Sequence, residues 1–266
     1  MTDLKKVSEA LNTYLRPQTF PVAVRLCKSA EELPERVRIP QRDLGLDISL
    51  CHAIALAKRY GWTIAVDKEQ TCYVAGISLG FWTLPPDVVD GSFQETAGLW
   101  GMNKEQAAAS IKNMPKFEYG TYQYALMAPV DRATFEPHVI LFYGTPAQIW
   151  VLLGGYTSGT GSQVNITLST GAGCTNTITR TIQEEQAKFV IVGTGERLVP
   201  NTQDYECAFS VPFSKIELTI AGLERGYRTG VFRYPIPSFL RYGSQHPPGY
   251  AEMRSHILEY MEKEKS

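Results

Sequence analysis

The chain has 266 residues, enough to bury a full hydrophobic core as one large domain or two small ones. Its 26 basic and 27 acidic residues give a net charge of −1, so there is no electrostatic footprint for nucleic acid and no basic run for a membrane surface. No run approaches the roughly 18 apolar residues of a membrane span, so neither nucleic acid nor membrane is an expected partner.

At the N-terminus, Leu4, Val7, Leu11 and Tyr14 share one helical face with charges between them. That spacing predicts an amphipathic helix and not a signal peptide, which needs an unbroken apolar stretch; the expected location is cytoplasmic. FPVAVRLC (20–27) reads as a strand. The next helix is expected to start at Asp47 or Ser49, to carry Lys58 and Arg59 in its last turn, and to stop at Gly61. WTIAV (62–66) reads as a strand, and TCYVAGISLGF (71–81) as a second apolar strand interrupted at Gly76. Residues 82–102, rich in Gly, Pro and aromatics, read as a long ordered loop. Asn103 and Gln106 have capping-box spacing for an Ala-rich helix ending before Pro115. In FEYGTYQYALM (117–127) the alternation changes parity, which predicts a strand with a bulge at Gly120.

HVILFYG (138–144) is the most strand-like run, and it feeds TPAQIWVLLGG. Thr145 is a good N-cap, Pro146 suits the first helical position, and Gly154 or Gly155 is the expected stop. Residues 147–153 hold one polar residue, Gln148, and no charge, which predicts a buried helix with Trp150 shielded. QVNITLS is expected as a strand, then a helix opened by Cys174, then a strand at KFVIVG (188–193), and after a polar loop ECAFSVPF leads into another helix. Ser214 and Glu217 have capping-box spacing for the following helix, and Phe213 and Leu218 the spacing of a hydrophobic staple. A final helix at about 249–264 places Tyr250, Met253, Ile257 and Tyr260 on one face. Strands alternate with helices and no composition break marks a linker. The expectation is α/β to α+β: a single domain over residues 1–266, with a mixed sheet flanked by helices.

Five cysteines, an odd number, fit reduced thiols better than a disulfide framework. Cys174 follows the small-residue turn STGAG, with Ile178 and Ile182 on its face. Cys51 shares its face with Ile54 and Ala55. A helix N-terminus carries free N–H groups and partial positive charge, so a sulfur there is favoured as a thiolate. Cys174 is therefore the candidate catalytic thiol. Cys51, Cys72, Cys174 and Cys207 are the candidate metal ligands, provided the fold gathers them, since neither CxxC nor HExxH occurs. His52 adjoins Cys51, but neighbours on a helix point about 100° apart and rarely share a metal. Gly171 and Gly173 clear side chains from in front of Cys174, and Arg197 in GTGER could pair with an anion; these three are the candidate cofactor-binding residues. Each has a plainer reading: a core thiol, as for Cys27 at its strand end, a tight turn, or a surface ion pair.

Several stretches together carry a family resemblance: PVAVRL, SLCHAIALAKRYG, TCYVAGISLG, MAPVD, VILFYGTPAQIWVLLGGY, GAGC, GTGERL and ECAFSVP. In this order the chain resembles the domain of unknown function 169 family over roughly residues 20–225. Members often carry a cysteine in the segment matching VGTGERL, where this chain has Thr194 and other small residues. The resemblance implies a prokaryotic, intracellular setting but no reaction. The family's frequency in anaerobes adds weight to iron–sulfur chemistry.

Three functions are compatible with these residues. The thiols could ligate a metal ion or an iron–sulfur cluster. An activated Cys174 could act on a bound small molecule, approached through the TGAG turn. Or the cysteines could be core residues of an interaction protein, a homo-oligomer included.

Overall fold

The structure, a computed structural model, describes residues 2–168, 173–236, 243 and 246–263. Side-chain caps set most of the long helices. Asp3 accepts from the Lys5 N–H at 3.0 Å and opens α1 (Leu4–Leu15), which buries Val7, Leu11 and Leu15. After β1 (Val22–Cys27) and a short α2 (Pro40–Leu44), Ser49 caps α3 (Leu50–Tyr60) through the His52 N–H. Gly61 ends α3 in the left-handed region at φ 71°, a conformation glycine adopts without cost. Next come β2 (Ile64–Val66), α4 (Tyr73–Ser78), α5 (Pro86–Val89), α6 (Ser92–Ala97) and α7 (Lys104–Asn113), the last capped by Asn103 through the Gln106 N–H. β3 (Tyr124–Pro129) and β4 (Val139–Gly144) lead into α8 (Pro146–Thr160), where Thr145 and Gln148 form a reciprocal capping box. Wide π-helical turns over Thr175–Arg180 run into α9 (Thr181–Glu184). β5 (Lys188–Ile191), α10 (Thr194–Leu198), β6 (Cys207–Pro212), α11 (Ile216–Thr229) and α12 (Pro248–Lys263) complete the order.

The six strands form one sheet in the order β2-β3-β1-β4-β6-β5, with every strand pair antiparallel. The one parallel contact among the described residues is a bridge between Arg38 and Ile64. Helices cover both faces, so the fold is mixed α/β of the α+β kind. Successive strand residues point to opposite faces. Val139, Leu141 and Tyr143 of β4 join one core with α3, α4 and Cys174. Ile140 and Phe142 join the other, with α1, α8 and α11. Each fully buried Leu, Ile or Phe contributes about 1.5–3 kcal/mol. Cys27 fills a small third cluster with Ile39, Ala65 and Leu126, the packing role expected of it.

Several local expectations are corrected by tertiary contacts. TCYVAGISLGF is the helix α4, not a strand; an apolar run this short fits either, and here it packs on the sheet with Gly76 against the Trp82 ring. The 82–102 loop contains α5 and α6. The strand expected from 117 starts only at Tyr124, and Gly120 sits in a turn at φ 79° rather than in a bulge. Residues 163–168 of QVNITLS form no strand, and Ser169 lies outside the described residues. α8 runs through Gly154 and Gly155 to Thr160, because α11 packs directly on its glycines. Trp150 is 57% exposed: α8 buries Ile149, Val151, Leu152 and Tyr156, leaving Trp150 outside that face. The Ser214–Glu217 box does not form; Ser214 donates to Glu185 instead, Thr2 donates to Glu217, and Leu218 is exposed. α12 contributes no buried residue.

Candidate functional site

On the face covered by α3 and α4, three short-range starts converge. Cys51 is the second residue of α3, held there by the Ser49 cap. Cys72 is the residue before α4. Gly173 and Cys174 begin the helical stretch that opens into the π turns, where the Thr177 hydroxyl donates to the Gly173 and Cys174 carbonyls at 3.1 and 3.3 Å. Cys51, Cys72 and Cys174 line one cavity of about 230 Å³, together with Gly173, Gly195 and Glu196. Tyr73 and Gly195, both exposed, stand at its edge. Cys51 and Cys174 are buried, Cys72 is half-buried, and all are free thiols.

Glu196 is the residue the sequence did not single out. It belongs to α10, is 4% exposed, and lies in the cavity wall. Its Oε2 accepts from the Gly193 N–H at 3.0 Å, while its Oε1 has no hydrogen-bond partner among the described residues. Gly173 has a specific reason to be glycine: a Cβ there would stand 2.2 Å from Glu196 Oε2. The signal in the sequence was the spacing of Gly193 and Glu196, which places a carboxylate over the free N–H groups of a helix start.

The electrostatics reverse one expectation. Burial pushes the Cys174 thiol well up, and the Glu196 carboxyl and the two neighbouring thiols push it further. Burial likewise moves Cys51 up to about 11, although the Ser49 hydroxyl, 3.1 Å from its sulfur, opposes this. The helix starts are present, but desolvation outweighs them, so Cys51 and Cys174 are held as neutral thiols and not as activated thiolates. Glu196 is also raised by burial, against the Gly193 N–H, the charge of Lys58 and the Gly173 N–H, which donates to the same carboxylate.

Beneath the cavity lies a buried ion pair. Lys58 of α3 is 1% exposed, its Nζ 2.9 Å from Glu206 Oε1 and 3.9 Å from the centre of the Tyr143 ring. Arg59 reaches the other oxygen of Glu206 at 3.0 Å. Lys58 was legible only as a C-terminal helix charge and Glu206 only as the neighbour of Cys207.

The other candidates fall elsewhere. Cys207 is not with the three thiols: Ala208 of β6 faces their core, so Cys207, one residue earlier, faces the opposite side with Phe209 and Val211. Arg197 is turned away to Asp204 and the Val192 carbonyl, outside the cavity lining. Arg180 is held by Asn176 and Glu184. Gly171 lies outside the described residues. His52 does not line the cavity. Among the described residues, no three His, Cys, Asp or Glu side chains stand close enough to hold a single metal ion. No helix among them is long and apolar enough to cross a membrane.

A family model described as uncharacterised ArCR, DUF169, matches residues 10–222. No curated protein and no solved structure matches the chain.

Proposed function

The chain belongs to the DUF169 family, and from its thiol cavity we propose that it holds an iron–sulfur cluster or another polynuclear thiolate-bound centre, ligated by Cys51, Cys72 and Cys174 with Glu196 as an oxygen donor. The observation that carries this reading is the meeting of three cysteines, from three separate segments, at one cavity that Glu196 also lines. The fit of the donors is chemical: soft sulfur with one hard oxygen suits iron or another thiophilic metal. Among the described residues no three such groups stand close enough for a single ion, so this reading requires a polynuclear centre whose ligands stand further apart. Such a cluster would supply one-electron chemistry.

What the chain's own residues do follows from their protons. Burial holds the Cys51 and Cys174 thiols protonated and pushes the Glu196 carboxyl up from its ordinary value. A cationic centre would displace those protons, and the buried negative charge would then be matched in place. The same burial argues against an activated Cys174 nucleophile, which needs a thiolate at neutral pH. Free thiols of this kind suit a reducing compartment such as the cytoplasm.

The test is anaerobic reconstitution with ferrous iron and sulfide, followed by desalting, metal and sulfide analysis and a visible spectrum. Iron and sulfide should be retained by the parent chain, by Cys207→Ala and by Cys27→Ala, and lost from Cys51→Ala, Cys72→Ala and Cys174→Ala that melt normally. A parent chain that keeps no iron, or a Cys174→Ala variant that keeps it all, would refute the assignment.

A further inference from the structure

α12 buries none of its residues against its own chain, yet its apolar side chains fall on one face. Tyr250, Met253, Ile257 and Tyr260 recur at helical spacing, with Leu258 and Met261 beside them, and all six are 41–61% exposed. Glu252 and Glu259 lie on the opposite side. One charge stands within the apolar face. Arg254 is four residues from both Tyr250 and Leu258 and three from Ile257. It makes no ion pair among the described residues. That cation argues against a second α12 laid face to face, because the two Arg254 side chains would then stand within one turn of each other in either direction of pairing. The face calls for apolar surface that carries carboxylates.

The body of the chain has such a surface. A groove of about 420 Å³ lies between the start of α1 and the connection from β3 to β4. Leu4, Phe135 and Phe213, half-buried against the core, form its floor. Asp3, Asp131 and Glu136, all exposed, stand at its edge against one cation, Lys5. Asp3 is engaged as the cap of α1, but neither Asp131 nor Glu136 pairs with a cation among the described residues. The helix and the groove therefore match in both apolar character and charge, and both are open in one copy. A reciprocal exchange between two copies is closed by a two-fold axis and leaves neither helix nor groove over. Two such contacts need to bury only about 400 Å² on each side to reach the ~1,600 Å² of a standard interface, within reach of six large apolar side chains on a helix about 24 Å long.

We propose that the apolar face of α12 docks in the α1 groove of a second copy of this chain, reciprocally, with Arg254 set between Asp131 and Glu136 of the partner subunit. The groove shares no lining residue with the thiol cavity, so the dimer is independent of whether that cavity holds a cluster, and its test requires no metal.

The test is sedimentation velocity on the full chain, which should give twice the 29.7 kDa of one copy. Ile257→Glu, in the middle of the face, should give the single mass, whereas Glu259→Lys on the opposite side should keep the dimer. Arg254→Glu, and the pair Asp131→Lys with Glu136→Lys, should each weaken the dimer roughly tenfold or more, and their combination should recover it. Every substituted side chain is exposed in one copy, so the fold of each variant is retained. A parent chain of single mass would overturn the proposal. So would a dimer that Ile257→Glu leaves intact, or a combined charge reversal that binds no more tightly than its two parts.

Discussion

Gly155 of α8 and Gly222 of α11 meet backbone to backbone: a Cβ on Gly222 would stand 2.0 Å from the Gly155 carbonyl oxygen. Gly159, one turn on, is as close to α11, where its Cβ would stand 1.8 Å from the Leu218 carbonyl. Neither helix can keep this approach with a methyl group between them. Gly222→Ala should therefore cost about 1–3 kcal/mol, the range for overpacking, although alanine is the better helix former. Gly249→Ala in α12, where the added Cβ meets open space, should cost nothing. Urea unfolding of both variants checks the contrast, and equal midpoints would contradict the packing.

Glu206 is the hinge of the buried charge group under the thiol cavity. It holds Lys58, Arg59 and the Gln203 N–H, the last at 2.7 Å. Glu206→Ala strands Lys58 in the core and should cost about 3–5 kcal/mol. Lys58→Met should cost clearly less, since Glu206 keeps Arg59 and the backbone donor. Paired denaturant melts decide this; a Lys58→Met loss as large as that of Glu206→Ala would be the contrary result.

Alkaline pH should expose the buried thiols. Burial moves Cys27 and Cys51 from 9.0 to about 11. Between those values the folded chain keeps protons that the unfolded chain releases. Their contribution is therefore intact below pH 9 and is lost as pH rises toward about 11, by ~1.4 kcal/mol per pH unit for each thiol. Lys58, lowered by burial, works in the opposite direction, so the measurement is a comparison. Stability of Cys27→Ala against the parent, followed from pH 7 to 11 by urea midpoint, should converge as the pH rises. Parallel curves would show that Cys27 titrates normally.

Trp150 offers a direct check on α8. In a variant retaining only this tryptophan, iodide should quench the emission readily, because the ring is 57% exposed. A shielded emission would mean that another surface covers this side of the helix.

The amino-acid sequence by itself determined whatever is local. Ser49, Asn103 and Thr145 announce their helices because a side-chain oxygen three residues ahead of a free N–H is enough to cap it. The apolar alternation of β4 and the Val-rich β1 fix strands for a similarly local reason. It also pointed to Cys51 and Cys174 by their helix starts, whereas Cys72 entered the candidate set from a run read as a strand, alongside Cys207. Tertiary structure decided everything that depends on which face meets which. The period of two in β6 sends Cys207 to the far side of the sheet, and no local pattern says which side that is. α4 is a helix and α8 passes through two glycines because of what packs on them. Glu196 joins the thiols only because α10 folds over Gly173, whose missing side chain leaves room for the carboxylate. Whether a sulfur at a helix start is a thiolate or a neutral thiol is likewise settled by burial, since desolvation of a charge in the core is larger than the attraction of a helix end.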